Sequence, residues 1–462
     1  MAEIDDYLND HQDRFEEELC QLLRIPSVSA DSAHLEDMRQ AAQWVANRFR
    51  GIGMATEIVE TSGHPLVYAE SPVVEGAPTM LVYGHYDVQP ADPLDLWTTP
   101  PFEPTRRDGN LYARGATDDK GQMFTHMLSA EAWMEVVGRL PINLKYVIEG
   151  EEEVGSGGLI RFLAENSQKL ACDCVVISDC AQFAPGQPAI TYGLRGITYY
   201  ELRLTGPDRD LHSGSFGGSV TNPANVLSRM LSALVDDTGK VRIPGFYDDV
   251  IPLSDRERKQ LADLPFDESQ YFREMGVSAG TGEAGYTALE RRWARPTYDI
   301  CGLTAGYQGD GAKTVIPATA AAKFSFRLVP DQDPEKISRA LEPMLAEMCP
   351  PGIRMELIDH HGSPGVLVPL DSRYVQAAAR AIEHAFGRAP VYTREGGSIP
   401  IVTAFHETLK VDTLLLGWGQ DDDNTHAPNE KFSLADFHRG IRASARLWHE
   451  LSQMKDNSEK KR

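Results

Sequence analysis

Four short apolar runs constrain the fold of this chain more than any other feature: "TMLVY" (79–83), "INLKYVI" (142–148), "CVVIS" (174–178) and "TLLLG" (413–417). Each has the length of a strand, and none alternates polar with apolar as a strand with one wet face does. A strand apolar on both sides must be covered on both sides, the condition of a parallel sheet flanked by helices. Helical periodicity separates some of the runs, most clearly over 119–137 ("DKGQMFTHMLSAEAWMEVV"). The first ~25 residues read as one amphipathic helix with Ile4, Leu8, Phe15, Leu19, Leu22 and Leu23 on its apolar face, stopped by "RIPS". A second helix covers about 35–50.

The middle of the chain has a different rhythm. "TYYELRLTG" alternates like a half-exposed strand, and "PANVLSRMLSAL" has helical spacing. "YDICGL" and "AAAKFSFRLVP" follow as strands, "PEKISRALEPMLAEM" as a helix and "RMELIDH" as a strand. That order is the split βαβ pattern of a ferredoxin-like module. A charged stretch at 240–296 is inserted within it and shows no clear period. The expected architecture is an α/β domain in two parts, 1–194 and 371–462, with a mostly parallel sheet. It is interrupted at 195–370 by a smaller α+β domain, and 462 residues suffice for both.

The formal charge is −23, from 68 acidic and 45 basic residues, which argues against nucleic acid and anionic membranes as partners. No apolar run approaches the ~18 residues that span a bilayer. The opening "MAEIDDYLND" has no signal-peptide core, so the six cysteines are expected as reduced thiols of a cytoplasmic protein. The final "KDNSEKKR" reads as a disordered tail.

Ligand sites in open α/β sheets lie beyond the carboxyl ends of the strands, and there the chemistry-bearing residues gather. "GHYDV" follows the first run and carries His85 and Asp87. The acid cluster "EGEEEVGSGG" (149–158) follows the second, Asp179 the third, and "WGQDDDNTHAPNE", with His426, the fourth. "ARGATDDKG" puts Asp118 at the entrance of the 119–137 helix. Each has a plain alternative. A lone histidine is more often structural, Asp118 could be a helix N-cap, and Asp179 could be a strand-end turn residue. "GQDDDN" could be solvated acid, with no calcium site implied. Cys172, Cys174 and Cys180 are better read as small core residues than as a thiolate site. Asp87, two residues beyond His85, points the same way along a strand and could hold the imidazole tautomer.

The acid cluster decides between these readings. A solvated turn needs neither a buried strand leading in nor a glycine-rich exit. Adjacent carboxylates in a closed site cannot both stay ionised unless a cation compensates. Histidines and carboxylates without cysteine suit a catalytic Zn²⁺, Mn²⁺ or Co²⁺ site better than a structural zinc. One carboxylate suffices as a ligand, which leaves its neighbour for proton transfer, so Glu153 and Glu152 become ligand and base.

At these residues the chain resembles the carnosinase, aminoacylase and carboxypeptidase-G family of dinuclear metallopeptidases, and most closely its carnosinase and cytosolic non-specific dipeptidase branch. The motifs are "GHYDVQPA", "GATDDKG", "EGEEEVGS", "VISD", "DLHSGSFGG", "KTVIP", "FSFRLVP", "REGGSIP" and "THAPNEKF", in family order from about 84 to 433. The resemblance implies two divalent ions per subunit, Zn²⁺ first, with Mn²⁺ or Co²⁺ as alternatives. His85 and Asp179 would hold one, Glu153 and His426 the other, and Asp118 both. Of the pair in "TDDKG", Asp118 is chosen because the family pattern is Asp, any residue, Lys, Gly. Glu152 would be the general base that takes a proton from the water, giving the hydroxide that bridges the ions, and Asp87 would orient His85. The inserted domain would be a lid that also forms a homodimer, sending His212 into the neighbouring active site to stabilise the oxyanion. Arg327, Gly397 and Ser398 would hold the terminal carboxylate of a small peptide substrate, with Thr314 and His361 as further contacts. In "DHHGSPG", His360 is an alternative to His361. A cis peptide at Asp118–Asp119 is implied as well. The activity so implied is that of a dipeptidase. The alternatives are an N-acyl amino acid deacylase or a carboxypeptidase of the same family, and, from another class, a non-catalytic metal- or peptide-binding protein.

Overall fold

The computed structural model describes residues 1–397 and 399–454; the tail "KDNSEKKR" lies outside them. The chain divides into two compact units. One comprises Met1–Tyr192, Val368–Thr393 and the chain from Pro400 onward; the other comprises Gly193–Leu367 and the short stretch that begins at Arg394. The fold is mixed α/β.

In the first unit a sheet runs in the order Ala55–Val59, Leu66–Glu70, Asn143–Glu149, Thr79–His85, Cys174–Ala181, Asp412–Gly419, Ala189–Leu194. The four strands that contain the apolar runs lie side by side and are parallel. The margins are antiparallel. The parallel arrangement thus belongs to the sheet's centre. Burial explains why the central runs do not alternate. Met80, Val82, Cys174, Val176, Leu414 and Leu416 face one large cluster with the helices, whereas Leu81, Tyr83, Val175 and Leu415 are equally buried on the other side. Tyr83 meets Phe405 of the helix Pro400–Leu409 there, edge to face.

The helix Lys120–Val137 is buried on nearly every side through Trp133, so its sequence shows little amphipathic contrast. It packs against Leu434–Ser452 and is pinned to it by Trp133 Nε1 donating to the Ala445 carbonyl and Trp448 Nε1 donating to Ser129 Oγ. Gly84 lets the strand Thr79–His85 press onto this helix, since a Cβ there would stand 2.5 Å from Met123 Cβ. The N-terminal segment departs from the expected single helix. It is two helices, Ala2–Asp10 and Gln12–Leu23, broken at His11, whose backbone has φ −113°.

The second unit contains a four-stranded antiparallel sheet ordered Thr297–Ala305, Thr319–Leu328, Gly196–Thr205, Arg354–Ser363. With strands numbered by chain position the order is 2-3-1-4, the ferredoxin-like pattern. Helices Pro223–Ala233 and Pro334–Met348 contribute Val226, Leu227, Ile337 and Leu341 to the cluster that covers it. Both begin with proline in the first turn, capped by Asn222 and Asp333. The stretch 240–296 forms three short helices, Asp255–Ala262, Glu268–Glu274 and Ala288–Ala294. Two of them start in a capping box, Ser254 with Glu257 and Thr287 with Glu290. Arg295 closes the segment with a bidentate bond to Glu283 at 2.7 and 2.8 Å. No helix among the described residues is long and apolar enough to cross a membrane.

Candidate metal centre

The candidate ligands gather at the carboxyl ends of the parallel strands. His85 is the last residue of Thr79–His85, and Asp179 lies near the end of Cys174–Ala181. Glu152 and Glu153 open the tight turn after Asn143–Glu149, which leaves through Gly155 at φ +102°, a conformation glycine tolerates. Asp118 stands two residues ahead of the helix Lys120–Val137, and His426 projects from the loop after Asp412–Gly419. The Asp118–Asp119 peptide is cis. Asp118 does not cap the helix; the cap position is Asp119, and it makes no side-chain cap bond.

Two overlapping groups result. His85, Asp118 and Asp179 place ligand atoms within 4.8 Å of one another, and so do Asp118, Glu153 and His426. Asp118 is common to both. Its Oδ1 lies 3.2 Å from His85 Nε2 and its Oδ2 2.9 Å from His426 Nε2, while His426 Nε2 is 3.4 Å from Glu153 Oε2. Gln89 Nε2 donates to the same Glu153 oxygen at 2.7 Å.

The electrostatics call for positive charge. Burial, then the neighbouring Asp118, pushes the Asp179 carboxyl well above the usual carboxylate range. Burial likewise raises Glu152 to about 7; Glu153, Asp118 and Asp87 add to the rise, and His85 opposes it. His426, bonded to Asp118 and Glu153, is raised to about 10. Cations between these groups would relieve the crowding. His85 Nε2 supplies a direct test of fit: it is fully buried and 3.2 Å from Asp118, yet has no hydrogen-bond partner among the described residues. A ring nitrogen so placed, facing Asp118 and Asp179, is where a metal ion would bind. Each group offers three nitrogen or oxygen donors and no thiolate, the set of a catalytic site that keeps an open position.

The other ring nitrogen of His85 is held from behind. Nδ1 lies 3.1 Å from the Asp87 carbonyl and 3.4 Å from its carboxylate, so the shorter contact is to the backbone. The Asp87 carboxylate accepts the N–H groups of Glu152 and Glu153 instead.

In the second unit, His212 and Thr314 come together where Leu211–His212 pairs with Val315–Ile316, and Ser213 N donates to the Thr314 carbonyl. His212 Nδ1 accepts the N–H groups of Gly214 and Ser215 at 3.1 and 3.3 Å, which assigns the ring proton to Nε2. Arg327 lies on Thr319–Leu328 opposite Ile197 and Thr297. The half-buried Arg195 guanidinium, lowered to about 10 by desolvation and by Arg327, bonds the Gly396 carbonyl. The Gly397 N–H donates to Glu395 Oε1 at 3.3 Å. His361 pairs with Tyr199 just past a bulge, and the His360 ring lies 3.3 Å from Glu201 Oε2. Ser398 lies outside the described residues.

The loop "GQDDDN" corrects one expectation, because it is not solvated throughout. Asp423 is buried and receives Thr117 Oγ1 and Lys431 Nζ. Glu430 and Arg114, both buried and bonded to each other, also belong to this region. Sequence reasoning gave them no role, although both stand within stretches rich in candidate ligands. Of the three cysteines read as core residues, Cys174 is fully buried, whereas Cys172 and Cys180 are only half-buried, a partial correction; none of the six cysteines forms a disulfide.

Comparisons with known proteins agree on one class. The model of peptidase family M20/M25/M40 matches residues 81–450, and the chain belongs to that family. Among individual relatives, it is 35% identical to the Cys-Gly metallodipeptidase DUG1 of Candida albicans, with 96% of each chain covered. It is 31% identical to the human Beta-Ala-His dipeptidase over 98% of this chain and 93% of that one. The crystal structure of the M20 family metallo-carboxypeptidase Sso-CP2 from Sulfolobus solfataricus superposes with a TM-score of 0.83 at 32% identity, covering 95% of this chain and 99% of that chain.

Proposed function

We propose that this protein is a metal-dependent dipeptidase with two divalent ions, one on His85, Asp118 and Asp179 and the other on Asp118, Glu153 and His426. The observation that carries the reading is the pair of three-ligand groups sharing one carboxylate. Zn²⁺ is assigned first, and the same donors accept Mn²⁺ or Co²⁺. Bound there, the ions would supply Lewis acidity toward a peptide carbonyl and would lower the pKa of a bound water.

The chain's own residues do the rest. Glu152 takes the proton of the attacking water and passes it to the leaving amine. Asp87 holds the Glu152–Glu153 turn and backs His85. His212 offers Nε2–H to the developing oxyanion. It does so across a homodimer, in the neighbouring subunit's site, with the second unit as lid and dimerisation domain between about 195 and 370. The Arg327 guanidinium fits the planar terminal carboxylate of a dipeptide; Gly397 and Ser398 are assigned to the same carboxylate, and Thr314 and His361 to further contacts. Six cysteines outside any disulfide suit a reducing compartment, and the cytoplasm is the location we assign.

The relatives' names specify Cys-Gly and β-Ala-His, and dipeptides are the substrate class proposed for this chain. The test is hydrolysis of Cys-Gly, β-Ala-His and Ala-Ala against N-acetyl amino acids and longer peptides, each with zinc, manganese and cobalt. Preferential cleavage of dipeptides supports the reading. Cleavage of N-acyl amino acids alone makes the protein a deacylase. Trimming of longer peptides makes it a carboxypeptidase, the second reading, favoured by the structural likeness to Sso-CP2. A metal-loaded protein that cleaves no amide is a binding protein instead.

A further inference from the structure

Glu430 belongs to neither three-ligand group, yet its side chain is fully buried and both of its oxygens are engaged twice. Oε2 accepts Arg114 Nη1 at 2.7 Å and the Gly115 N–H at 2.9 Å. Oε1 accepts the N–H groups of Thr117 at 3.0 Å and Asp118 at 3.2 Å. The Glu430 carbonyl takes the Ala113 N–H as well, at 3.1 Å. One residue therefore holds the whole turn from Ala113 to Asp118, including the backbone amide of the carboxylate shared by both groups.

The same residue sits four positions after His426. The loop from Asn424 to Glu430 is tightly bent, with Asn424, His426 and Asn429 at φ +56°, +60° and +64°, a region side chains seldom adopt. A second brace runs parallel to the first: Thr117 Oγ1 donates to Asp423 Oδ2 at 3.0 Å, and that oxygen also takes the Gln420 N–H at 2.8 Å. Space is short on the other side, where a Cβ at Gly115 would stand 2.5 Å from Val88 Cγ1.

We propose that Glu430 is a positioning residue for the dinuclear centre: by gathering Arg114 and the amides of Gly115, Thr117 and Asp118 onto one carboxylate, it locks the Asp118 turn to the His426 loop and so keeps Asp118, the carboxylate common to both groups, within reach of His426. The chemistry demands an acid of this length. Four donors converge on two oxygens, so glutamine would turn an NH₂ toward donors, and aspartate is one methylene too short to serve both arms. The inference rests on the two-metal reading proposed above.

The test is a cobalt(II) titration of the full-length protein, by calorimetry and by visible absorption, on the parent and on Glu430→Asp, Glu430→Gln and Glu131→Gln. Glu131 is also a buried acid, but its partners are Tyr7, Arg14 and Arg48, so its replacement reports the loss of an ordinary buried ion pair. Both Glu430 variants are expected to lose about 10–100-fold in cobalt affinity, the usual cost of removing a group that orients a ligand. Their absorption bands shift as well, while Glu131→Gln melts lower and titrates as the parent does. Parent-like affinity and spectra in the Glu430 variants overturn the inference, whatever their melting temperatures. If neither folds, the double variant Arg114→Met/Glu430→Gln removes both buried charges together and is read by the same two outcomes. A parent that binds no cobalt overturns the two-metal reading first, a failure visible before any variant is made.

Discussion

The Asp87 carboxylate accepts the backbone N–H of Glu152 at 3.3 Å. The residue behind the His85 imidazole thus also fixes the turn that carries the proposed base and its ligand neighbour, since the Glu153 N–H reaches the same carboxylate at 3.2 Å. Replacing it by alanine frees both. Asp87→Ala is expected to lower metal affinity about 10–100-fold and to reduce kcat even at saturating metal. Metal titration alongside steady-state kinetics checks this, and a loss of affinity that excess metal fully repairs contradicts the second role.

Glu152→Gln separates proton transfer from metal binding. The amide cannot take the water's proton, so kcat is expected to fall about 10²–10⁴-fold, while metal stoichiometry stays that of the parent. Near-normal turnover removes Glu152 from the role of base.

His212→Ala removes one donor to the oxyanion. The expected loss is about 10²–10³-fold in kcat, with KM changed far less. Mixing His212→Ala with Glu152→Gln protein should restore part of the lost activity, because a mixed dimer holds one intact site if His212 crosses to the partner. Absence of any recovery after subunit exchange contradicts the crossed arrangement.

His126 gives stability its own pH dependence. Its ring is fully buried, bonded to Ser178 Oγ at 2.8 Å, and burial lowers its pKa to about 3. The native state therefore keeps it neutral while the unfolded chain takes up a proton near the ordinary histidine value. Stability falls as pH drops below about 6.5, by roughly 1.4 kcal/mol per pH unit for this one group. His126→Gln should flatten the difference in urea stability between about pH 7 and about pH 5. An unchanged slope shows that other groups carry it.

Much of this was legible in the sequence because the central strands are buried on both faces. Continuous apolar runs survive only where helices cover both sides, so the runs also marked the rim where His85, Glu153, Asp179 and His426 meet. The marginal strands Ala55–Val59 and Leu66–Glu70 gave no such signal: they are short, of mixed composition and antiparallel. The stretch 240–296 concealed three helices, although "SDRE" and "TALE" spell the capping boxes that begin two of them. Asp423 and Glu430 were illegible for another reason. Nothing in an acidic loop reveals which carboxylate turns inward; that depends on Thr117, Lys431 and Arg114, which only the folded chain brings to them.

The most direct measurement is anomalous diffraction from crystals grown with zinc or manganese. The account predicts two cation peaks per chain, one among His85, Asp118 and Asp179 and one among Asp118, Glu153 and His426, with Asp118 contacting both. A single peak, or none at these side chains, contradicts it.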